Sequence, residues 1–290
     1  MDKPTVLLHL DTDALPSVFD RVVAIDSGVA HVLSYGGVTP AAVMALVHGC
    51  VFTRGPKDLH RTAVFVGGSD AEAGEAVLAE VKKHLLPAYG LSVSVMLDSS
   101  GANTTAVAAV RAAARHLDLA TATSLVLGGT GPVGRRVARL LAKRGGRVTI
   151  GSRQLDRAEA VARSIRAAYP GADVAAAAVA SSADGPAALA GQHLVVAAGA
   201  PGTVLLPRKL RAGAAALRVA IDLNGVPPAG IEGVELGDKG VERDGHAAYG
   251  ALGVGGAKMA IHKAALAALF TGNALTFDLD EIDALAATLG

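Results

Sequence analysis

The chain has 290 residues, of which 51% are hydrophobic, so it is long enough for two domains with substantial cores and is not predicted to be disordered. Its formal net charge is only +1, which argues against nucleic-acid or membrane binding. Aromatic residues make up 3%, which predicts an aliphatic core. The single cysteine, Cys50, excludes an intrachain disulfide, and its apolar surroundings favour a buried side chain over a reactive thiol.

The first residues, MDKPTVLLHLD, have the pattern of a strand and lack that of a signal peptide. No apolar run reaches the ~18 residues that a membrane span needs. We therefore expect a soluble cytoplasmic protein. Strand-like and helix-like runs then alternate, with strands predicted at 6–10, 62–66 and 92–97, and helices at 16–25, 39–49, 70–86 and 104–117. This alternation predicts a parallel α/β sheet.

A second α/β unit is predicted from about residue 120. Its strands are expected at 125–127, 148–150, 174–177, 194–197 and 219–222, and its helices at 133–143 and 156–168. Residues 225–245 are rich in Gly, Pro and charge and are predicted to be a connection. Helices are expected at 253–270 and 277–289, and the second begins like a capping box with Asp278 and Glu281.

We expect these last two helices to pack on the N-terminal segment. The predicted domains are therefore 1–119 plus 251–290, and 120–250. The predicted fold class is α/β, with a central Rossmann-type parallel sheet in the second domain and an α/β domain built from the two ends of the chain.

A glycine-rich turn follows the strand predicted at 125–127. Gly129, Gly131 and Gly134 form G-x-G-x-x-G, with a strand before it and a helix after it, which is the context that a dinucleotide site requires. Such a turn needs glycine, and the helix N-terminus offers N–H groups and a positive dipole end to a pyrophosphate. The predicted cofactor contacts also include the intervening residues of this turn, Thr130, Pro132 and Val133.

The end of the next strand indicates which dinucleotide binds. NAD enzymes usually place an acidic residue there to accept hydrogen bonds from the ribose 2′-hydroxyl. This chain has Ser152 and Arg153 instead, with Arg157 one turn on, and these residue types suit a 2′-phosphate. The sequence therefore favours NADP, with weaker use of NAD possible. Ala198 and Gly199, in a small-residue loop after the strand at 194–197, are expected to pass close to the cofactor or to form a simple loop.

Polar residues also follow the strands of the first domain. Asp13 lies in the loop after the first strand, and Asp98, Asn103 and Thr104 follow the strand at 92–97. Ligands bind at the carboxyl ends of strands in open sheets, so these residues are candidates for a substrate site. Turns and helix caps use the same residue types, and this structural alternative stays open.

Several strings along the whole chain resemble one family. They are DTDALPSVFDRVVAIDSG, SYGGVTP, FTRGPKDLHRTAVFVGGSD, MLDSSGANTTA, GGTGPVG and YGALGVGGAKMAIHK. These strings are similar to the NADP-dependent methylene-tetrahydromethanopterin dehydrogenases of bacterial one-carbon metabolism. The resemblance implies reversible hydride transfer from a methylene pterin, of tetrahydromethanopterin or tetrahydrofolate, to NADP. It also implies a pterin in a cleft between the two domains and a homo-oligomer, either a trimer or a hexamer.

The implied reaction leaves a methenyl cation, which a fixed carboxylate would stabilise. Asp20 and Asp98 are the carboxylate candidates, and the resemblance places Asp20, with Ser17 beside it, on the pterin side. Lys258 lies near the start of an apolar helix, where the helix dipole disfavours a cation, and this conflict points to function. By resemblance, Lys258 reaches the active site. No general base is needed, and no metal is predicted.

The segment GVGGAKMAIHK supplies further candidate substrate contacts, Gly253, Gly256 and His262. His262 lies one turn after Lys258, where a structural role suits it better than a substrate contact. The alternative functions are a shikimate-dehydrogenase-like NADP oxidoreductase and a non-catalytic NADP or pterin sensor. Short-chain dehydrogenases are disfavoured because no Tyr is followed by Lys four residues later.

Overall fold

The computed structural model describes residues 3–179 and 184–289. The chain forms two compact units, residues 1–104 with 259–290 and residues 105–258. Each described unit is organised around its own sheet, one with five strands and one with seven. The predicted α/β class is therefore confirmed.

The sheet of the first unit has the strand order β12-β4-β3-β1-β2, and all of its pairs are parallel. Its elements are β1 Val6–Asp11, α1 Val18–Asp26, β2 His31–Tyr35, α2 Pro40–Val51, β3 Thr62–Gly67, α3 Ala71–His84, β4 Ser94–Leu97, β12 Thr276–Phe277 and α10 Leu279–Ala287. Two helices, α4 Ala102–Ala114 and α9 Ala251–Ala268, contain the limits between the units.

The central strands of this sheet read as continuous apolar runs because both faces are covered. Every residue of β3 and β4 is buried. Their side chains form an aliphatic core with residues of the neighbouring helices, including Val43, Val47 and Val77. Cys50 lies in that core, and burial raises the pKa of its thiol to about 11. The thiol is therefore protonated and unreactive, as the sequence predicts.

The second sheet has the order β10-β11-β9-β8-β5-β6-β7. Its elements are β5 Thr123–Leu127, α5 Pro132–Lys143, β6 Arg147–Ser152, α6 Leu155–Ala168, β7 Val174–Ala178, α7 Gly185–Leu189, β8 Leu194–Ala197, α8 Arg208–Ala212, β9 Val219–Asp222, β10 Lys239–Arg243 and β11 His246–Tyr249. Strand β5 lies between β6 and β8 and is parallel to both. The order of the strands in the sheet therefore reverses direction at β5. Ligands of open α/β sheets bind where the strand order reverses in this way.

Two predictions about elements are wrong, and one strand was missed. The stretch 225–245 is not only a connection, because it contains β10, which pairs antiparallel with β11. Residues 31–35 form β2, which was not predicted, and the last helix begins at Leu279 because Thr276 and Phe277 pair with β4. The capping box of Asp278 and Glu281 is confirmed. No helix within the described ranges has both the length and the apolar character needed to cross a bilayer.

Candidate functional site

A buried polar cluster lies at the carboxyl edge of the first sheet. Strands β1, β3 and β4 are parallel neighbours, so their carboxyl ends meet there. His9 and Asp11 occupy alternate positions on β1, and Asp98 directly follows β4. All three side chains are buried in an otherwise apolar sheet, which is unusual for ionisable groups. Buried ionisable groups of this kind need partners, and the partners define the cluster.

Asp98 is held by four donors. One oxygen accepts from the backbone N–H groups of Asn103 and Thr104, at 2.9 and 3.1 Å. The other accepts from the Thr104 hydroxyl at 2.6 Å and lies 2.8 Å from Nδ1 of His262. Asp98 thus fixes the first turn of α4 and orients the His262 ring. Because these four donors already occupy its oxygens, Asp98 stabilises the cluster.

One aromatic ring contacts both histidines of the cluster. Phe65, on β3, has its ring centroid 5.4 Å from that of His9 and 5.7 Å from that of His262. The Nε2 atoms of both histidines are buried and have no hydrogen-bond partner among the described residues. Unpaired polar atoms in an apolar surrounding are costly, so each one calls for an explanation, and a functional role is one such explanation.

Asp20, on the first turn of α1, is the partly exposed carboxyl of this cluster. Burial raises its pKa, and the nearby Asp98 charge adds to this, whereas His262, His9 and the Ser17 hydrogen bond act in the opposite direction. Its carboxyl therefore protonates at a higher pH than an ordinary aspartate. A carboxyl that is perturbed by burial and by specific neighbours, and that still reaches the surface, has the properties of a functional group.

The other predicted residues of this region have internal partners. Ser17 caps α1 by accepting from the N–H of Asp20 at 3.2 Å. Asp13 accepts from the N–H and hydroxyl of Ser69, at 2.9 and 2.8 Å. Asn103 is fully buried and donates to the Leu97 carbonyl at 2.8 Å and to Asp278 at 3.0 Å. These contacts hold the loops that surround Asp20.

Helix α9 carries the remaining candidates. Lys258 is half-buried in its second turn, four residues before His262. Gly253 lies so close to the Asp238 backbone that no side chain fits there, which gives this glycine a packing role. Gly256 faces open space. Of the predicted site residues, the structure brings together Asp20, Asp98, Asn103, Thr104 and His262.

Sequence reasoning missed His9, Asp11 and Phe65 as members of the cluster. A signal was present for the first two. His9 and Asp11 are two residues apart at the end of an otherwise apolar strand, so they point to the same face. Phe65 gave no such signal, because an aromatic residue in a buried strand is ordinary.

The glycine turn of the second unit joins β5 to α5. Gly128 has a φ of 69°, which favours glycine. A Cβ on Gly129 would lie 2.7 Å from the Ile150 side chain, and one on Gly134 would lie 2.8 Å from Gly129 Cα and closer still to the Gly128 carbonyl. These glycines are therefore required by the packing of the turn itself.

Gly131 differs from its neighbours. A Cβ there would meet the Gly128 and Ala198 carbonyl oxygens at 3.4 and 3.6 Å, which are ordinary contact distances. Its backbone, at φ −76° and ψ 170°, also suits any residue. Packing within the chain therefore does not explain this glycine. The absence of a side chain leaves the N-terminus of α5 open to the close approach of another group.

The edge of the second sheet next to this turn carries the other cofactor candidates. Ser152 ends β6 and is half-buried, and Arg153 and Arg157 are exposed. The Ala198 N–H donates to the Leu127 carbonyl at 2.9 Å, which holds the loop after β8 against the glycine turn. Gly199 lies directly against Gly128, and a Cβ on Gly128 would be only 2.5 Å from Gly199 Cα. The turn, the end of β6 and the loop after β8 thus share one edge, as a dinucleotide site requires.

The fold is that of known dehydrogenases. It is similar to quinate dehydrogenase from Corynebacterium glutamicum, solved in complex with NAD, with a TM-score of 0.53 and 16% identity, covering 99% of this chain and 100% of that one. Shikimate 5-dehydrogenase from Listeria monocytogenes, solved with shikimate and NAD, gives a TM-score of 0.53 and 13% identity, covering 97% and 96%. Identities this low establish a common fold alone.

Sequence comparison identifies the family. Residues 18–100 match the model described as methylene-tetrahydromethanopterin dehydrogenase, N-terminal. The bifunctional protein MdtA of Methylorubrum extorquens is 44% identical over 283 residues, which cover 97% of each chain. The NAD(P)-dependent methylenetetrahydromethanopterin dehydrogenase of the same organism is 31% identical over 251 residues, covering 83% of this chain and 84% of that protein. The chain therefore belongs to the methylene-tetrahydromethanopterin dehydrogenase family, and the predicted resemblance is confirmed.

Proposed function

We propose that this protein is an NADP-dependent oxidoreductase that converts 5,10-methylene-tetrahydromethanopterin into the methenyl pterin, reversibly. The observation that carries the proposal is the match to a named methylenetetrahydromethanopterin dehydrogenase across 83% of the chain. In this reaction a hydride leaves the methylene carbon, and the remaining cation is delocalised over the two nitrogens that flank it. No proton moves at the reacting carbon, so a general base is not required.

The proposed cofactor residues fit a phosphorylated dinucleotide. NADP, when bound, accepts the hydride at C4 of its nicotinamide. The backbone of Gly129, Gly131 and Gly134 would hold the pyrophosphate, and the space left by the missing side chain at Gly131 supports this. Ser152, Arg153 and Arg157 would hold the 2′-phosphate, because a hydroxyl and guanidinium groups bind phosphate where an acidic residue would repel it.

Asp20 is the central residue of the proposed substrate site. An ionised Asp20 would stabilise the positive charge that develops on the pterin, and stabilisation of developing charge is usually the largest contribution to catalysis. Lys258 would hydrogen-bond the pterin or hold an acidic group in place. Asp98 and His262, which are hydrogen-bonded to each other at 2.8 Å, would act on the Asp20 carboxyl as nearby titratable groups. The roles of Asp20 and Lys258 are tested below by substitution.

We further propose that residues 1–119 with 251–290 hold the pterin and that residues 120–250 hold NADP. The protein is proposed to act as a homo-oligomer, a trimer or a hexamer, as the family resemblance implies. Sedimentation equilibrium of the purified protein measures the subunit number directly. A monomer at enzyme-assay concentrations that is fully active would contradict the proposal.

The function is tested by mixing the protein with NADP⁺ and methylene-tetrahydromethanopterin and following the absorbance of NADPH and of the methenyl pterin. Parallel reactions with methylene-tetrahydrofolate and with NAD⁺ establish which pterin and which dinucleotide are preferred. We expect both products to form in equal amounts, faster with NADP⁺ than with NAD⁺. Binding of NADP and pterin without turnover would indicate a sensor, and turnover of shikimate in place of the pterins would indicate the alternative oxidoreductase.

A further inference from the structure

Asp222 is a buried carboxyl group that the proposed reaction does not use. It is the last residue of β9 and is 2% exposed. Burial raises its pKa, whereas hydrogen bonds from the backbone N–H groups of Ile231, Asn224 and Gly230 act in the opposite direction. A buried carboxyl group costs free energy unless hydrogen bonds compensate for it, so the partners of Asp222 indicate what it does.

The partners of Asp222 lie at the two ends of the loop that follows β9, residues 223–231. One carboxyl oxygen accepts from the N–H of Asn224 at 3.0 Å, near the start of the loop. The other accepts from the N–H of Ile231 at 3.0 Å, at its end. One buried side chain thus joins both ends of the loop, and a residue with a single acceptor could not do this.

The tip of this loop is exposed and apolar. Asn224, which is buried, fixes the tip by donating from its side chain to the Pro228 carbonyl at 3.0 Å and by accepting from the N–H of Val226 at 3.0 Å. Val226 is 53% exposed, and Pro227 and Pro228 are exposed as well. An apolar surface that is held in place by buried polar groups is suited to pack against a flat ring.

The base of the loop is packed against the loop after β8, which itself lies against the glycine turn. Strands β5, β8 and β9 are parallel neighbours, so the loops that follow them leave the same edge of the sheet. The N–H groups of Leu205 and Leu206 donate to the Gly230 carbonyl at 2.8 and 3.0 Å. A Cβ on Gly230 would lie 2.9 Å from an Asp222 oxygen and 3.4 Å from the Ala197 side chain. The loop after β9 is therefore part of the same edge as the proposed cofactor residues.

The direction in which the cofactor lies along this edge follows from the residues already proposed for it. Ser152, Arg153 and Arg157, which would hold the 2′-phosphate, lie at or after the end of β6, on one side of β5. The pyrophosphate would lie at the turn after β5 itself. The nicotinamide half must then extend to the other side of β5, over the ends of β8 and β9, and β9 is two strands or about 10 Å away.

We propose that Asp222 is a positioning residue, which holds the loop after β9 so that its tip, residues 225–228, packs against the nicotinamide end of NADP. The inference rests on the proposed function, from which it takes the cofactor and its direction along the sheet. Asp222 acts through the loop, because the carboxyl group is buried and both of its oxygens accept from loop N–H groups. Val226 is the residue of the tip that would contact the ring.

Two ligands separate this role from a purely structural one. NADP reaches the loop, whereas adenosine 2′,5′-bisphosphate carries the adenosine and the 2′-phosphate but lacks the nicotinamide half. Asp222→Asn keeps the shape of the side chain but leaves only one oxygen, so one end of the loop is released. We expect the Kd for NADP to rise about tenfold and the Kd for the bisphosphate to stay unchanged, both measured by titration calorimetry. Hydrogen exchange at the N–H of Asn224 or Ile231 should become faster in the same variant.

Asp238→Asn is the matched control. Asp238 is also a buried aspartate that holds a turn of the same unit, because it accepts from the N–H of Glu235 at 2.8 Å and from the Arg243 guanidinium at 2.7 Å. It directly precedes β10, which lies two strands from β9 on the side away from β5. Asp238→Asn should therefore lower Tm without changing the Kd for NADP. A rise in that Kd equal to the rise in Asp222→Asn would show a general effect of lost stability and would overturn the inference.

Val226→Ser tests the tip without touching the buried anchor. The side chain is exposed, so this variant should keep the Tm of the wild type even if Asp222→Asn does not fold. We expect its Kd for NADP to rise about fivefold through the loss of apolar contact, with no change for the bisphosphate. Normal NADP affinity in Val226→Ser or in a folded Asp222→Asn would overturn the inference. Equal losses of affinity for the two ligands would overturn it as well.

These measurements separate the inference from the proposed function, because none of them requires turnover. If the wild-type protein binds NADP but oxidises neither pterin, the proposed function fails while the two Kd values still decide on the loop. If the pterin is oxidised and the variants lose affinity for both ligands equally, the function stands and the inference fails. A wild-type protein that binds neither NADP nor the bisphosphate would overturn both.

Discussion

Replacing Gly131 or Gly134 by alanine should have opposite effects on stability and on NADP affinity, although both glycines belong to the same motif. At Gly134 the new Cβ would collide with backbone on two sides, at 2.8 Å from Gly129 Cα and closer to the Gly128 carbonyl. Backbone atoms cannot rotate away as a side chain can. Gly134→Ala should therefore destabilise the protein by about 3 kcal/mol, which is a fall in Tm of roughly 6–12 °C.

At Gly131 the same change meets ordinary contacts of 3.4 and 3.6 Å and an unstrained backbone. Gly131→Ala should leave Tm unchanged or raise it slightly, because alanine reduces the entropy of the unfolded chain. The methyl group would nevertheless fill the space that a pyrophosphate must enter. We expect the Kd for NADP to rise about 100-fold, which corresponds to about 2.7 kcal/mol.

The assay is a pair of measurements on each variant, Tm by calorimetry and Kd for NADP by titration calorimetry. Gly134→Ala serves as the matched control, because it changes the same loop by the same methyl group. Normal NADP affinity in a stable Gly131→Ala protein would refute the reasoning and place the dinucleotide elsewhere. A large fall in Tm for Gly131→Ala would show that this glycine, too, is there for packing.

Three further substitutions test the remaining roles. Arg153→Ala should raise the Kd for NADP about tenfold or more and leave that for NAD unchanged, because only the 2′-phosphate contact is lost; equal effects on both dinucleotides would contradict the assignment. Lys258→Ala should lower pterin turnover at least about tenfold while NADP still binds, and a fully active variant would remove Lys258 from the site. Asp20→Asn should lower kcat about 100-fold and abolish the acid limb of the pH–rate profile. Burial raises the pKa of Asp20 in the native state. Between the unfolded and the folded pKa values the native state therefore binds more protons than the unfolded chain, and above that range the ionised Asp20 carboxylate destabilises the fold. Asp20→Asn should therefore also raise Tm at neutral pH, with the gain lost as the pH falls toward the unfolded pKa, and a lower Tm would contradict this.

The elements that the sequence predicted well are those with a strong local pattern. The buried strands are continuous apolar runs, and α3 begins at Ala71, directly after Asp70, which caps it by accepting from the N–H groups of Glu72 and Ala73. The turn at Gly129 was predicted because its spacing, its strand and its helix agree. Local chemistry determines these features, so one sequence is enough to find them.

The missed elements depend on pairing with distant residues. Strand β2 lies at the edge of its sheet, and β12 has only two residues, Thr276 and Phe277, which pair with β4. The sequence does contain a signal for the β10–β11 hairpin, because the dipeptide Asp244-Gly245 favours a two-residue hairpin turn. In the structure both residues have the positive φ values that such a turn needs, 51° and 84°. That signal was outweighed by the Gly- and Pro-rich composition of the segment around it.

The site was predicted only in part, for a similar reason. Asp98 stood out because it follows a strand end, where polar residues collect, whereas Asp20 was a candidate through the family resemblance. His9 did not stand out, since its neighbours in the cluster, Asp20 and Gly67, are brought to it by α1 and β3. The structure was needed to show that His262, which sequence reasoning favoured as structural, is hydrogen-bonded to Asp98 in this cluster.

Transfer of a labelled hydride tests the proposed reaction at the reacting carbon itself. Methylene-tetrahydromethanopterin that carries deuterium at both positions of the methylene carbon is mixed with the protein and NADP⁺, and the products are analysed by mass spectrometry and NMR. We expect one deuterium to appear at C4 of the reduced nicotinamide and the other to stay on the methenyl carbon. Reduced cofactor without deuterium, or no reduced cofactor with either methylene pterin, would contradict it.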